Sequence, residues 1–321
     1  NVGFQDITHH SLLKQLENFE ADHGTAVVME TATGEIKAIA NLGRTLEGKY
    51  YERLNYAVGE HLEPGSTFKL MSIIAALEDG KVDLNTIVDT KNGILDFYGA
   101  KVRDSKMGGY GKISVNEAFK VSSNTGIVKI INDAYKDDPK MFSNRLYNMG
   151  LNNKLGVSIL GESNPKIPHP NDKDWNGLSL PWMVYGYGVL LSPLQILTFY
   201  NSVANNGEMV KPVFIRQSNS MSNKTVLNSS ICSDDTLEKV KLMLENVVNE
   251  KGGTGYNIKS NIYKIAGKTG TGQVDYNTDN MQYISSFVGY FPANKPKYSC
   301  IVVIHKPNKK KGYYGATVAA P

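Results

Sequence analysis

Residues 66–80, "STFKLMSIIAALEDG", constrain this 321-residue chain more than any other stretch. Phe68, Leu70, Met71, Ile73, Ile74, Ala75 and Leu77 have helical spacing but leave hardly any polar face. Pro64-Gly65 opens the segment and Gly80 is placed to cap it. A helix that is apolar nearly all round belongs at the centre of a domain, covered on every side. Lys69 nevertheless lies in it, three residues after Ser66. An ammonium in such a place needs a chemical reason.

The rest of the chain says what covers that helix. "TAVVMETATGEIKAIAN" (25–41) gives two strand-like runs joined at Thr33-Gly34, a hairpin signal. Three more strand-like runs close the chain: "IYKIAGKTGT", "YISSFVGYF" and "KYSCIVVIHK". Between them, helices are predicted at 114–135 (broken near "SSN"), 192–207 and 234–253, with residues 81–113 mostly loop. A further helix, "HHSLLKQLENFEADHG", is predicted to end on Gly24. Strands at both ends with helices between argue α+β. The expectation is one domain over residues 1–321 with a mainly antiparallel central sheet. The first hairpin pairs with the last strands, and an all-helical subregion spans roughly 66–253.

Composition excludes several classes. A net charge of +4 gives no reason to expect nucleic acid, and "KPNKKKG" (306–312) reads as a solvated turn. Two cysteines rule out a disulfide scaffold. Cys300, in "YSCIVVI", is expected to be a buried small hydrophobe, whereas Cys232 sits in a polar stretch. No apolar run is long enough to span a bilayer, and there is no signal peptide. The chain reads as an excised piece of something longer, any membrane anchor lying outside it.

Ser66 is a poor nucleophile until a base takes its proton. Residues i and i+3 share a helix face, so Lys69 is within reach. Its ordinary pKa near 10.4 keeps it protonated, and lowering that by roughly three units takes about 4 kcal/mol of destabilisation of the charged form. Burial and a second cation both act in that direction. A second lysine for the same cleft is therefore required, and Lys268 in "AGKTGTGQV" supplies it. That stretch is not a phosphate-binding loop: Ile262 stands where glycine is needed, and strands follow instead of a helix. Ser122 and Asn124 in "SSNTG" are the third piece. Alone, that tripeptide reads as a helix N-cap. Ser-x-x-Lys also occurs at Ser11/Lys14 and Ser163/Lys166, and Ser-x-Asn at Ser114/Asn116, so the order and placement of all three motifs carry the weight.

In that order the motifs resemble the penicillin-recognising serine enzymes, which include penicillin-binding proteins and class A β-lactamases. The resemblance spans nearly the whole chain, including "EPGSTFK", "YGYGVLLSPLQILTFYNSVANNG" and "YYGATVAAP". It is nearest to the transpeptidase domain of class B penicillin-binding proteins of the division-specific (septal) type, in which Asn rather than Asp stands at the position of Asn124. The implied fold is the penicillin-binding/serine β-lactamase-like transpeptidase fold with a buried nucleophile helix.

The implied reaction is peptidoglycan D,D-transpeptidation, with β-lactam antibiotics as acylating inhibitors. Ser66 is then the acylated nucleophile, Lys69 its base and Ser122 the proton relay, while Lys268 keeps the network poised. Asn124 binds the donor's side-chain amide; Thr269 and Thr271 bind its terminal carboxylate. Gly270 keeps the strand edge bare for substrate, and the N–H groups of Ser66 and Thr271 form the oxyanion hole. No metal or organic cofactor is implied. The implied partners are D-Ala-D-Ala stem peptides, with a glycan-polymerising synthase and division proteins reached through absent regions. The implied place is outside the cytoplasmic membrane, anchored by an N-terminal helix not present here. A D,D-carboxypeptidase, a β-lactamase using Glu162 near Asn164, and a non-catalytic sensor are the alternatives. His9-His10 lacks a third metal ligand, His305 reads as structural or exposed, and Trp175 and Trp182 read as loop anchors, with lining of the cleft the alternative.

Overall fold

The computed structural model describes residues 1–215, 224–275 and 280–321. Its frame is a six-stranded antiparallel sheet. From one edge to the other the strands are Ala266–Val274, Gln282–Phe291, Tyr298–His305, His23–Glu30, Ile36–Arg44 and Tyr50–Glu52. The N-terminal hairpin meets the C-terminal strands as expected, His23 standing opposite His305 and Val28 opposite Cys300. Strands from both ends of the chain thus share one sheet.

Each face of the sheet has its own cover. Helix Val2–Phe19 lies on one face, where Leu12 and Leu16 pack with Ala40, Leu42 and Ile304. It stops at Phe19, short of the predicted Gly24. Glu20 adopts a left-handed conformation (φ 48°) and its N–H closes onto Glu17 O and Leu16 O, while Gly24 pairs within a strand. On the other face lies helix Pro193–Ala204, every residue of it buried, opened by a capping box between Ser192 and Gln195.

The central helix is where its pattern requires. Residues Gly65–Phe68 form a 3₁₀ turn that passes into helix Lys69–Glu78, whose residues 69–77 are all buried. It packs against helices Asn124–Tyr135, Pro139–Asn148 and Asp234–Asn249. Gly80 (φ 63°) takes the left-handed position just past its end.

The region 66–253 is not all-helical. It carries three two-stranded ribbons: Ile87–Asp89 with Lys112–Ser114, Ile94–Phe97 with Ala100–Arg103, and Met209–Val210 with Val226–Asn228. Strands of two to four residues are too short for any periodicity count. Helix Pro139–Asn148 was also unforeseen, although Asp138 caps it and Pro139 opens it in the ordinary way. The two cysteines exchange environments: Cys232 is buried, while Cys300 is partly exposed on its strand. No helix is long and apolar enough to cross a membrane among the described residues.

Candidate active site

Ser66 lies in the 3₁₀ turn, partly exposed, on the wall of a cleft of about 530 Å³. Ser122, Asn124, Thr269 and Thr271 line the same cleft. In a 3₁₀ turn residues i and i+3 eclipse, which stacks Lys69 behind Ser66, and the Lys69 N–H donates to Ser66 O. Lys69 and Lys268 are both 0% exposed, so two ammonium groups stand in one dry pocket.

They share one hydroxyl. Lys268 Nζ lies 2.8 Å from Ser122 Oγ, and Lys69 Nζ lies 3.1 Å from the same atom. Lys69 also donates to Ser122 O at 2.8 Å and to Asn124 Oδ1 at 2.6 Å; Lys268 donates to Thr269 O at 3.0 Å. Ser122 can offer both its carbonyl and its hydroxyl because it is left-handed (φ 56°), a conformation costing an ordinary residue roughly 1–2 kcal/mol. Strain of that kind gathers at functional sites.

Burial holds the Lys69 ammonium down to about 7, with Asp104 pulling weakly the other way. Lys268 is pushed well below the usual lysine range by burial first and by the charge of Lys69 second. Both shifts favour the neutral amine, and burial is the leading cause of each. Burial alone brings Lys69 into the range where a neutral amine is available near pH 7.

The two serines of "SSN" divide two duties. Ser123 is the cap: its Oγ accepts from Gly126 N at 2.9 Å at the start of helix Asn124–Tyr135. It also donates to Asp104, whose carboxylate accepts from Thr125 N at 3.0 Å and Thr125 Oγ1 at 2.7 Å. Ser122, released from capping, faces the lysines. Asn124 is held at both ends, since its Nδ2 donates to Arg103 O at 2.8 Å.

On the edge strand, Thr269 Oγ1 donates to Thr254 Oγ1 at 2.7 Å, and Thr271 Oγ1 accepts from Gly315 N at 3.0 Å. Gly270 is closely packed as well. A Cβ there would stand 2.2 Å from Ser286 Oγ and 3.0 Å from Thr67 Cγ2, so its bareness lets the strand lie against the nucleophile turn. Gly65 meets the strand from the other side: a Cβ on it would lie 3.4 Å from Gly272 Cα. The Gln273 N–H points out of the sheet, donating to Tyr187 OH at 3.0 Å. With a period of two, the Thr271 N–H points the same way, into the cleft beside Ser66.

The sequence-predicted residues therefore converge: Ser66, Lys69, Ser122, Asn124, Lys268, Thr269 and Thr271 surround one cleft. One expected contact is absent. Among the described hydrogen bonds none joins Lys69 Nζ to Ser66 Oγ; the lysine is held by Ser122 and Asn124 instead. Catalytic hydrogen bonds often tighten only when substrate is bound. Trp182 lines the cleft, whereas Trp175 lines a neighbouring hollow with Pro168 and Asp172. Glu162 faces away, accepting from the N–H groups of Leu155, Gly156 and Val157.

Several cleft residues had no signal of their own. Asp104 lies in a Gly/Asp-rich loop, and Thr254 in a turn after helix Asp234–Asn249. Tyr185, Tyr187, Tyr283, Tyr313 and Tyr314 complete the wall from three distant segments. Only the tertiary fold assembles them.

Comparison with known proteins agrees with this geometry. A family model described as the penicillin binding protein transpeptidase domain matches residues 24–321. The chain is 30% identical to the probable peptidoglycan D,D-transpeptidase PenA of Neisseria meningitidis, over 99% of this chain and 53% of that protein. It is 27% identical to the peptidoglycan D,D-transpeptidase FtsI of Escherichia coli, over 99% of this chain and 52% of the relative. The chain thus spans about half the length of the curated relatives it matches. Among solved structures, the apo transpeptidase domain of Burkholderia pseudomallei penicillin-binding protein 3 superposes with a TM-score of 0.84 at 29% identity, covering 100% of this chain and 91% of that one. With a sheet, a buried helix and three ordered motifs all in place, the chain belongs to the penicillin-binding protein transpeptidase domain family.

Proposed function

We propose that this domain is the catalytic part of a peptidoglycan D,D-transpeptidase of septal type, working through a serine acyl-enzyme and open to acylation by β-lactams. The observation that carries the reading is the pair of buried lysines sharing the Ser122 hydroxyl beside Ser66. Burying two ammonium groups side by side opposes folding, and it is explained if one of them must be neutral to accept a proton.

In the first half-reaction Ser66 Oγ attacks the carbonyl carbon of the penultimate D-Ala, and its proton passes to Lys69 Nζ. The developing oxyanion lies between the N–H groups of Ser66 and Thr271, each such donor being worth a factor of about 10² to 10³. Collapse breaks the C–N bond. The departing D-Ala amine takes a proton through Ser122, which Lys69 and Lys268 both touch. In the second half-reaction an amine from a neighbouring stem peptide attacks the Ser66 ester, forming the cross-link and returning the proton to Ser66. Thr269 and Thr271 bind the donor carboxylate, and Asn124 both steadies Lys69 and borders the donor side chain. A β-lactam opens by the same attack, but its leaving amine stays tethered, so the ester persists.

The septal assignment is supported by the Asn at 124 and by relatives called FtsI, as in Escherichia coli and Buchnera aphidicola. It implies a domain held outside the cytoplasmic membrane, acting with a glycan-polymerising synthase and division proteins through segments beyond this chain. A β-lactamase reading is disfavoured because Glu162 is tied to three backbone N–H groups.

The test is intact-mass measurement after brief exposure to benzylpenicillin, followed over hours beside Ser66→Ala. A single persistent adduct that requires Ser66 is expected. An adduct that vanishes within seconds would mean a hydrolase, and no adduct would refute the acyl-enzyme. Cross-linked product from a D-Ala-ended thioester with a D-amino acid acceptor separates transpeptidase from carboxypeptidase.

A further inference from the structure

We propose that His23, His305 and Glu60 form a binding site for a divalent transition-metal ion, best suited to Zn²⁺, outside the catalytic cleft. One ligand atom from each lies within 4.8 Å of the other two. Two imidazoles with one carboxylate is a ligand set that zinc accepts, a fourth position being left for water. His23 begins the strand His23–Glu30, and His305 ends the strand paired with it, directly opposite. Glu60 follows the short helix Tyr56–Gly59, six positions ahead of Ser66 in the chain.

The hydrogen-bond accounting singles out this cluster. His23 Nδ1 lies 2.8 Å from Asp22 Oδ2, which orients the ring and turns Nε2 toward Glu60. Both Glu60 oxygens lie 3.1 Å from that Nε2. The place between His23 Nε2 and Glu60 is filled either by the second proton of a doubly protonated ring or by a metal ion that displaces it. His305 Nε2 is buried and makes no hydrogen bond, and it lies 3.3 Å from Glu60 Oε2. Its side chain is 8% exposed, so this unpartnered nitrogen is aimed into the cluster. Asp22 supplies the orienting carboxylate that ligating histidines ordinarily have.

The rings of His23 and His305 are stacked, centroids 4.1 Å apart and planes 18° apart. Both rings bring Nε2 to the same Glu60 carboxylate. Bound there, the ion ties the ends of two central strands to the segment leading into the nucleophile turn.

The experiment uses the full chain, stripped with EDTA and titrated with Zn²⁺ by calorimetry, with Co²⁺ as a spectroscopic stand-in. The expected result is one equivalent bound, a raised unfolding temperature, and an intense visible Co²⁺ spectrum from tetrahedral coordination. Glu60→Gln is expected to abolish binding, and Asp22→Asn to weaken it roughly 10- to 100-fold. His9→Ala/His10→Ala is expected to keep the full equivalent. Benzylpenicillin labelling of each variant reports that it is folded. The proposal is overturned by no binding to the unmodified chain, by a Co²⁺ spectrum like that of the aquo ion, by binding that survives Glu60→Gln, or by binding that disappears with His9 and His10.

Discussion

Asn124 Oδ1 accepts a hydrogen bond from Lys69 Nζ at 2.6 Å, the shortest contact either lysine makes among the described hydrogen bonds. A neutral amide at this point holds the lysine without favouring its charge. Asn124→Asp would place a carboxylate against the same nitrogen and favour the ammonium. With Lys69 as the proposed base, acylation needs its neutral form, so the rate should rise with pH through a midpoint near 7 in the unmodified chain. In Asn124→Asp that limb should move up by at least about one unit. Stopped-flow acylation by a chromogenic β-lactam between pH 5 and 9 reads both, and superimposable profiles would count against Lys69 as the base.

Asp104 should act with the opposite sign. Its charge raises the pKa of Lys69, so Asp104→Asn should move the same limb to lower pH. The variant also weakens the carboxylate that gathers Ser123 Oγ, Thr125 N and Thr125 Oγ1. Loss of charge-assisted hydrogen bonds is expected to lower stability by about 1–3 kcal/mol. Urea denaturation checks the second effect and the acylation profile the first. An upward shift would remove Asp104 from the electrostatics of the site.

Burying Lys69 has a measurable consequence for stability. Its folded pKa of about 7 lies below the ordinary 10.5, so between those values the unfolded chain binds more protons than the folded one. Stability must then rise with pH across that window, the penalty being greatest below pH 7. Lys268 is shifted in the same direction. Buried tyrosines such as Tyr50, pushed up to about 12, act oppositely only above about pH 10. Urea midpoints should therefore increase from pH 7 to 9.5. In Lys69→Met/Lys268→Met the increase should largely vanish, even though the variant is inactive. An equal slope in both chains would show that the lysines are not desolvated.

The sheet, the buried helix and the three motifs were legible because each rests on a local pattern: alternation, an apolar run, or residues at fixed offsets. The α+β outline and the meeting of the terminal strands followed from them. What stayed hidden is non-local. Asp104 reaches Ser123 and Thr125 across a loop, and Thr254 finds Thr269 only once helix Asp234–Asn249 docks. The duties of Ser122 and Ser123 were not separable either, because the choice depends on one backbone angle, the left-handed φ of Ser122. Glu60 shows the same limit, since nothing in "AVGEHLEPG" points to histidines at opposite ends of the chain.

Gly270 offers the sharpest test of how the cleft is built. If its bareness served substrate binding alone, Gly270→Ala would raise KM and leave β-lactam acylation of a small ring nearly intact. The packing says otherwise. A methyl group 2.2 Å from Ser286 Oγ and 3.0 Å from Thr67 Cγ2 presses on the adjacent strand and on the Ser66 turn, and is expected to push the edge strand off that turn. That displaces the Thr271 N–H from the oxyanion position, and loss of one such donor costs about 10² to 10³ in rate. Gly270→Ala is therefore expected to slow acylation by about that factor for every substrate, large or small. Ser286→Ala removes the nearer of the two clashing atoms and should recover part of the loss in the double variant. The Thr67 contact should keep that rescue incomplete. Acylation rates of the two single variants and the double variant form a cycle, and strict additivity between Gly270→Ala and Ser286→Ala would show that the strand is not wedged there.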